Sequence, residues 1–334
     1  MSWRRPLTGG SGSCSARDGF EETHMAPHPP GKWLRLPPRV RWIGWAVVLT
    51  FAVWGGSSVR DRILRLTSDT ETGPLIRSRE AGLLFLVGGG ELPERVSREF
   101  LELAGGHEAR LVVIPGASVD ELELDRYREE WRDRGALDVT VLHADSRTVA
   151  NDPRFSEPLL HANAVWLGGG QQTWFTAWYR GTLVENRLKE LLARGGVIGG
   201  TSAGASAVSA VMVAGGRRGE PVISNGLGLL TDAVVDQHFF KRNRPGRLMT
   251  LLERHPELIG LGIDEGTAAV IELRSQRMTV VGDSYVMAVA SNGSSKFPRI
   301  EVLKSGDSLT FDQLRRPPAS ELPVWLEDAI LTAE

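Results

Sequence analysis

Cysteine is almost absent from this 334-residue chain; Cys14 is the only one. An intramolecular disulfide is excluded, and so is thiol catalysis anywhere beyond the N-terminal tail. The scarcity does not fix the compartment, because large domains are exported without disulfides. Histidine is sparse too. The seven present are scattered, with no His-Glu-x-x-His or Cys/His spacing, so the sequence offers no metal site. An excess of either charge is also lacking. The net charge of -2 argues against nucleic acid as a partner.

Charge is unevenly spread, however. Residues 1–41 carry Arg4, Arg5, Arg17, Lys32, Arg35, Arg39 and Arg41 against Asp18, Glu21 and Glu22, and from composition read as a basic tail expected to be disordered. Trp42–Val59 (WIGWAVVLTFAVWGGSSV) then runs 18 residues without a charge, at the short end for a membrane span. The basic tail before it keeps the N-terminus in the cytoplasm by the positive-inside rule. The domain that follows is thus expected outside the cytoplasm. It would be anchored by residues 42–59, or secreted after cleavage near the small residues Gly55, Gly56, Ser57 and Ser58. Met25 is an alternative start to Met1. Residues 60–80 are polar and weakly patterned and read as a linker.

From residue 81 to 334 the pattern predicts one α/β domain. The apolar runs Leu83–Val87, Arg110–Ile114, Asp138–Leu142, Ala164–Leu167 and Val197–Ile198 alternate with amphipathic stretches. Such runs imply a mostly parallel, doubly wound sheet with helices on both faces. After residue 256 the runs LIGLGID, TAAVIEL, RMTVVG and YVMAVA read as a strand pair and meander closing the same domain. Glycine clusters at 88–90, 168–170 and 199–204 fall at the carboxyl ends of strands, where such sheets bind ligands.

One cluster carries chemistry. Gly200-Thr201-Ser202-Ala203-Gly204 stands between the strand residues Val197–Ile198 and a run, ASAVSAVMV, that reads as helix. A strand-to-helix turn this tight pushes the Ser202 hydroxyl out above the sheet. The helix start supplies N–H groups for an oxyanion: Ala203 is the natural donor, with a second from the loop holding Gly169 and Gly170. The bland alternative is a phosphate-binding or packing turn; no Gly-Lys-Ser/Thr ending makes it a P-loop.

A seryl nucleophile needs a base and an orienting acid. Val234–Val235 leads into Asp236-Gln237-His238, which puts His238 at a strand end. Asp264 and Glu265 stand at another strand junction. Asp236, Asp264 or Glu265 could orient the imidazole, and spacing does not choose among them. Arg242, Arg244 and Arg247 follow closely, three guanidiniums suited to carboxylates.

The order GTSAGA, DQHF with an R-x-R-x-x-R-L run, then GIDE-x-T resembles cyanophycinase and the related aspartyl dipeptidases. These are serine peptidases with a fold like class I glutamine amidotransferases. The likeness spans roughly residues 82–290 and includes LVGGGE, FLELAGG and RLVVIPGAS. It implies Ser202 as nucleophile, His238 as base and Glu265 as third member. Gln171, Asp236, Gln237, Arg242, Arg244 and Arg247 would be the substrate contacts. No cofactor is implied. The implied reaction is hydrolysis of aspartate-rich peptide or polymer, cyanophycin to β-Asp-Arg dipeptides. A dipeptidase acting on small aspartyl or isoaspartyl peptides, and an inactive membrane-tethered binding module, are the alternatives. Family members often pair, so a homodimer is among the implied partners. Gly170 stands where the family commonly has an acidic residue, and Gln172–Phe175 lacks the expected basic one.

Overall fold

Continuous apolar runs become strands, buried on both faces except at the edge strand Asp138–Val141, where only Val139 is buried. In the computed structural model these are Leu83–Val87 (β1), Arg110–Gly116 (β2), Asp138–Val141 (β3), Ala164–Gly170 (β4) and Val197–Thr201 (β5). The structure describes residues 82–116, 121–217, 220–291 and 298–316, all within the unit Leu75–Glu334. The tail, hydrophobic run and linker at residues 1–80 lie outside the described residues. Among those described, no helix is long and apolar enough to cross a membrane.

The five strands pair in parallel in the order β1-β5-β4-β2-β3. Helices between them cover both faces, as the right-handed crossover requires. Glu94–Leu103 (α1) and Glu121–Asp133 (α2) lie on one side. Three single-turn helices, Arg147–Ala150 (α3), Pro153–Ser156 (α4) and Pro158–His161 (α5), precede β4. Gln172–Tyr179 (α6) and Leu183–Ala193 (α7) follow it. Alternate strand residues sort into two cores. Phe85 and Val87 pack with Phe100, Trp131 and Trp166, whereas Leu84 and Leu86 pack with Phe175, Leu188 and Leu191.

The later strands depart from the single-sheet expectation. Thr267–Glu272 (β10), Arg277–Gly282 (β11) and Ser308–Thr310 (β14) extend the first sheet antiparallel beyond β1, giving eight strands. Ala233–Gln237 (β8), Ile259–Ile263 (β9), Tyr285–Ala290 (β12) and Arg299–Lys304 (β13) form a separate four-stranded sheet. One face of it, through Val235, Leu261, Ile263 and Ala288, joins the core under the first sheet. Its other face is covered by Pro245–Arg254 (α9), through Leu248 and Leu251. The chain alternates between the sheets in pairs, β8 and β9, then β10 and β11, then β12 and β13, because both sheets need a buried partner face.

The run after Ser202 is also shorter as a helix than its pattern suggests. Only Ala203–Ala207 (α8) is helical, and Val211–Arg217 (β6) pairs with Glu220–Asn225 (β7). Val211 and Val213 are β-branched, which favours the extended chain.

Candidate active site

Register places the site. Val87 is level with Thr201 across β1 and β5, and Leu167 is level with Gly200 across β4 and β5. The three glycine clusters therefore emerge side by side at one rim. Ser202 is the hinge between β5 and α8, with φ 51° and ψ -109°. That left-handed φ is costly for serine and persists only where the surroundings impose it. Gly204 lies so close to β4 that a Cβ would stand 2.2 Å from the Leu167 carbonyl oxygen. A Cβ at Gly200 would stand 2.7 Å from the Gly204 carbonyl carbon. The Gly-x-Ser-x-Gly spacing is thus a packing requirement of the turn. The Ser202 N–H donates to the Val87 carbonyl at 3.0 Å, tying the turn to β1.

His238 directly follows β8, with φ 48°, and donates its N–H to the Gly88 carbonyl at 2.7 Å. Its Nε2 lies 2.8 Å from Ser202 Oγ, and its Nδ1 lies 2.6 Å from Glu265 Oε1. A carboxylate only accepts, so Nδ1 carries the hydrogen and Nε2 is free to accept from the serine hydroxyl. Burial lowers the imidazole's pKa from its ordinary value; the Glu265 hydrogen bond opposes this, and Arg242 and Arg244 reinforce it. The ring is therefore neutral at pH 7, the form a general base requires.

The other two acids are committed elsewhere. Asp264 accepts from the backbone N–H groups of Phe240 and Lys241 and from the Ser284 hydroxyl. The Asp236 side chain is 0% exposed. Its Oδ2 accepts from Arg247 Nε at 2.9 Å, and its Oδ1 accepts from a second Arg247 nitrogen. Asp236 and Arg247, expected at the substrate surface, instead face each other in the interior. The reason is helical geometry: Arg247 shares the inner face of α9 with Leu248 and Leu251. Gln237 is buried as well, and its carbonyl and Oε1 both accept from Arg244. The Arg244 pKa is pushed down to about 10 by burial and by neighbouring Arg247, so the group stays cationic at neutral pH. Arg242 is exposed and lies within electrostatic reach of His238.

On the other side of Ser202 stands the β4 loop. A Cβ at Gly169 would lie 3.9 Å from Ser202 Cβ, so this glycine faces the serine directly. Gly170 and Gln171 are exposed next to it, and the Gln171 N–H donates to the Gly116 carbonyl at 3.0 Å. Ala203 is the first residue of α8, its amide immediately beyond the serine.

The profile of peptidase family S51 matches residues 84–279, which include Ser202, His238 and Glu265. The chain belongs to peptidase family S51. This S51 member is accordingly a serine peptidase. It is 33% identical over 223 residues to the cyanophycinase of Geminocystis herdmanii, covering 64% of this chain and 82% of that protein. It is 34% identical over 206 residues to the cyanophycinase of Synechococcus elongatus, covering 58% of this chain and 64% of that one. Among solved structures, a peptidase from an acI-B1 Actinobacterium aligns along its full length with 71% of this chain, at a TM-score of 0.57 and 23% identity. That likeness concerns the fold alone.

Two features of this S51 site escaped the sequence reading. Gly89 and Gly90, with φ of 99° and 77°, carry β1 past the imidazole and the carboxylate. A Cβ at Gly89 would stand 2.4 Å from His238 Cε1, and one at Gly90 would stand 2.9 Å from Glu265 Cβ. The run Gly88-Gly89-Gly90 at a strand end was the available signal. The second is the engagement of Asp264 with the turn after His238, for which sequence held no sign beyond the adjacent acids.

Proposed function

We propose that Ser202, His238 and Glu265 act as a catalytic triad hydrolysing aspartate-rich peptide bonds, with cyanophycin as the substrate. The observation that carries this reading is the unbroken chain from Ser202 Oγ through the imidazole to Glu265 Oε1 at 2.8 and 2.6 Å. In the forward step Oγ bonds to the scissile carbonyl carbon while its proton passes to His238 Nε2. The carbonyl oxygen becomes an oxyanion received by the Ala203 amide and by the loop of Gly169 and Gly170. The C–N bond breaks, His238 returns the proton to the leaving amine, and an acyl-enzyme remains. Water, deprotonated by the same nitrogen, releases the acid. Glu265 holds the tautomer throughout and stabilises the imidazolium.

The cations beside the site favour an acidic substrate. Arg242 and Arg244 stand on the His238 side and would receive aspartyl carboxylates, with Gln171 on the other rim of the serine. Support for the polymer comes from the cyanophycinases at 33–34% identity. The test is turnover of purified cyanophycin beside a set of aspartyl and isoaspartyl dipeptides. Release of β-Asp-Arg from polymer supports the proposal; cleavage of dipeptides alone would assign the chain to the dipeptidase branch.

The site is further proposed to work outside the cytoplasm, behind residues 42–59, as the charge asymmetry of the tail suggests. Protease added to intact cells should digest a tagged full-length domain. Digestion only after lysis would reverse the topology.

A further inference from the structure

Asp264 sits between the end of β9 and Glu265, yet it takes no part in the chain from serine to glutamate. Both its carboxylate oxygens are occupied. Oδ1 accepts the N–H of Phe240 at 3.1 Å and of Lys241 at 3.0 Å. Oδ2 accepts the Ser284 hydroxyl at 2.9 Å. Ser284 is fixed in turn by its N–H, which donates to Thr267 Oγ1 at 2.7 Å. Thr267 is fully buried at the start of β10. The Asp264 backbone N–H donates to the Tyr285 carbonyl at 3.2 Å, so the residue is anchored at both ends.

The two amides it holds belong to the second and third residues after His238. That turn needs holding. His238 has φ 48°, a conformation that a side-chain-bearing residue keeps only when its surroundings enforce it. Left to itself, the turn would relax toward negative φ and swing the imidazole away from Ser202 or Glu265. One carboxylate thus joins the turn that carries the base to the strand end that carries the acid. Backbone bonds from Phe239 N to the Ile263 carbonyl and from Arg242 N to the His238 carbonyl, at 3.2 and 3.0 Å, complete the clamp.

We propose that Asp264 is a positioning residue that sets the placement of His238 between Ser202 and Glu265 through the Phe240 and Lys241 amides. The proposal rests on the triad reading given under Proposed function. It makes a specific demand: what counts is where the accepting oxygen stands, and the negative charge is secondary. Asp264→Asn keeps an oxygen at the same reach for both amides, and its new NH₂ can donate to Ser284 Oγ. Asp264→Glu keeps the charge and moves the oxygens out by one methylene.

The test is acylation by a small uncharged fluorophosphonate, followed on purified full-length protein with the labelled residue identified by mass spectrometry. In that step Oγ bonds to phosphorus, fluoride leaves, and the hydroxyl proton passes to His238 Nε2. The saturating rate, kinact, reports the alignment of serine and base, whereas KI reports binding of the reagent. Asp264→Asn is expected to keep kinact within about threefold of wild type, since the acceptor for both amides survives. Asp264→Glu is expected to lose about 10- to 100-fold in kinact with KI unchanged, because a displacement of about 1 Å in a catalytic group costs on the order of 10²-fold. Should the Glu variant fail to fold, Ser284→Ala decides, by removing the support of Oδ2 at a half-buried site. It is expected to lower kinact by about three- to tenfold at constant KI, the scale of one neutral hydrogen bond. Wild-type kinact in Asp264→Glu or in Ser284→Ala would overturn the clamp. So would an Asp264→Asn variant as slow as Asp264→Glu, which would show that charge acts and position does not. Wild-type protein left unlabelled at Ser202 would instead refute the triad on which the clamp depends.

Discussion

Replacing Asp236 by alanine should destabilise this protein severely, although the residue touches neither the nucleophile nor its base. The side chain is 0% exposed, and its partner Arg247 is 6% exposed. Two bonds join them, one to each carboxylate oxygen. Arg244 adds a weaker contact to Oδ1 at 3.4 Å. Truncating Asp236 leaves the Arg247 guanidinium buried with the Gly216 carbonyl, at 3.3 Å, as a remaining acceptor. Removing one partner of such a pair costs about 3–5 kcal/mol, because the other charge stays behind unpaired. At about 2–4 °C per kcal/mol for a domain of roughly this size, Tm should fall by about 6–20 °C. Replacing both partners together, Asp236→Leu with Arg247→Met, removes both charges and should recover most of that loss. Thermal and urea unfolding of the two singles and the double would form the cycle. A single Asp236→Ala variant within about 1 kcal/mol of wild type would refute the reasoning, since a desolvated guanidinium cannot be left alone so cheaply.

Arg244→Gln should weaken kcat/KM on aspartyl substrates by about ten- to a hundredfold, the scale of one charge-assisted bond. Unchanged steady-state kinetics would remove Arg244 from substrate binding. The acylation rate should rise with pH through a midpoint below 6.5, because burial lowers the His238 pKa and the neutral ring is the reactive form. Arg242 pushes that pKa down, so Arg242→Gln should move the midpoint upward; a downward move would contradict the assigned electrostatics. Gly89→Ala should cost about 10²-fold or more in kcat, since its Cβ would stand 2.4 Å from the imidazole. Near-normal turnover in that variant would show that the close approach of β1 does not govern the base.

Much of the parallel sheet can be read from the sequence, because all its strands but β3 are continuous apolar runs that lead into glycine. The partition of the later strands cannot. Ile259–Ile263 and Thr267–Glu272 are both short, mostly apolar and buried along nearly their whole length, yet they join different sheets. Pattern reports burial, and either sheet buries such a strand. At the site, the spacing around Ser202 expresses a local steric rule, which is why it stands out in the chain. The acid beside His238 is a different matter. Asp236, Asp264 and Glu265 all sit at strand ends, and only three-dimensional distance separates them. Arg247 looked like its neighbours Arg242 and Arg244 for the same reason. Its position on the inner face of α9 follows from helical phase, but the buried carboxylate that receives it belongs to β8.

Ser202 is proposed as the nucleophile of this S51 peptidase, acting on an aspartate-rich polymer. The most direct measurement is the rate of β-Asp-Arg release from cyanophycin by wild-type protein and by Ser202→Ala, both shown to be folded by circular dichroism. Loss of about three or more decades in kcat is predicted, the scale for removal of a triad nucleophile. Release by the alanine variant within about tenfold of wild type would contradict the account, because the oxyanion donors and the bound base would then suffice without the hydroxyl.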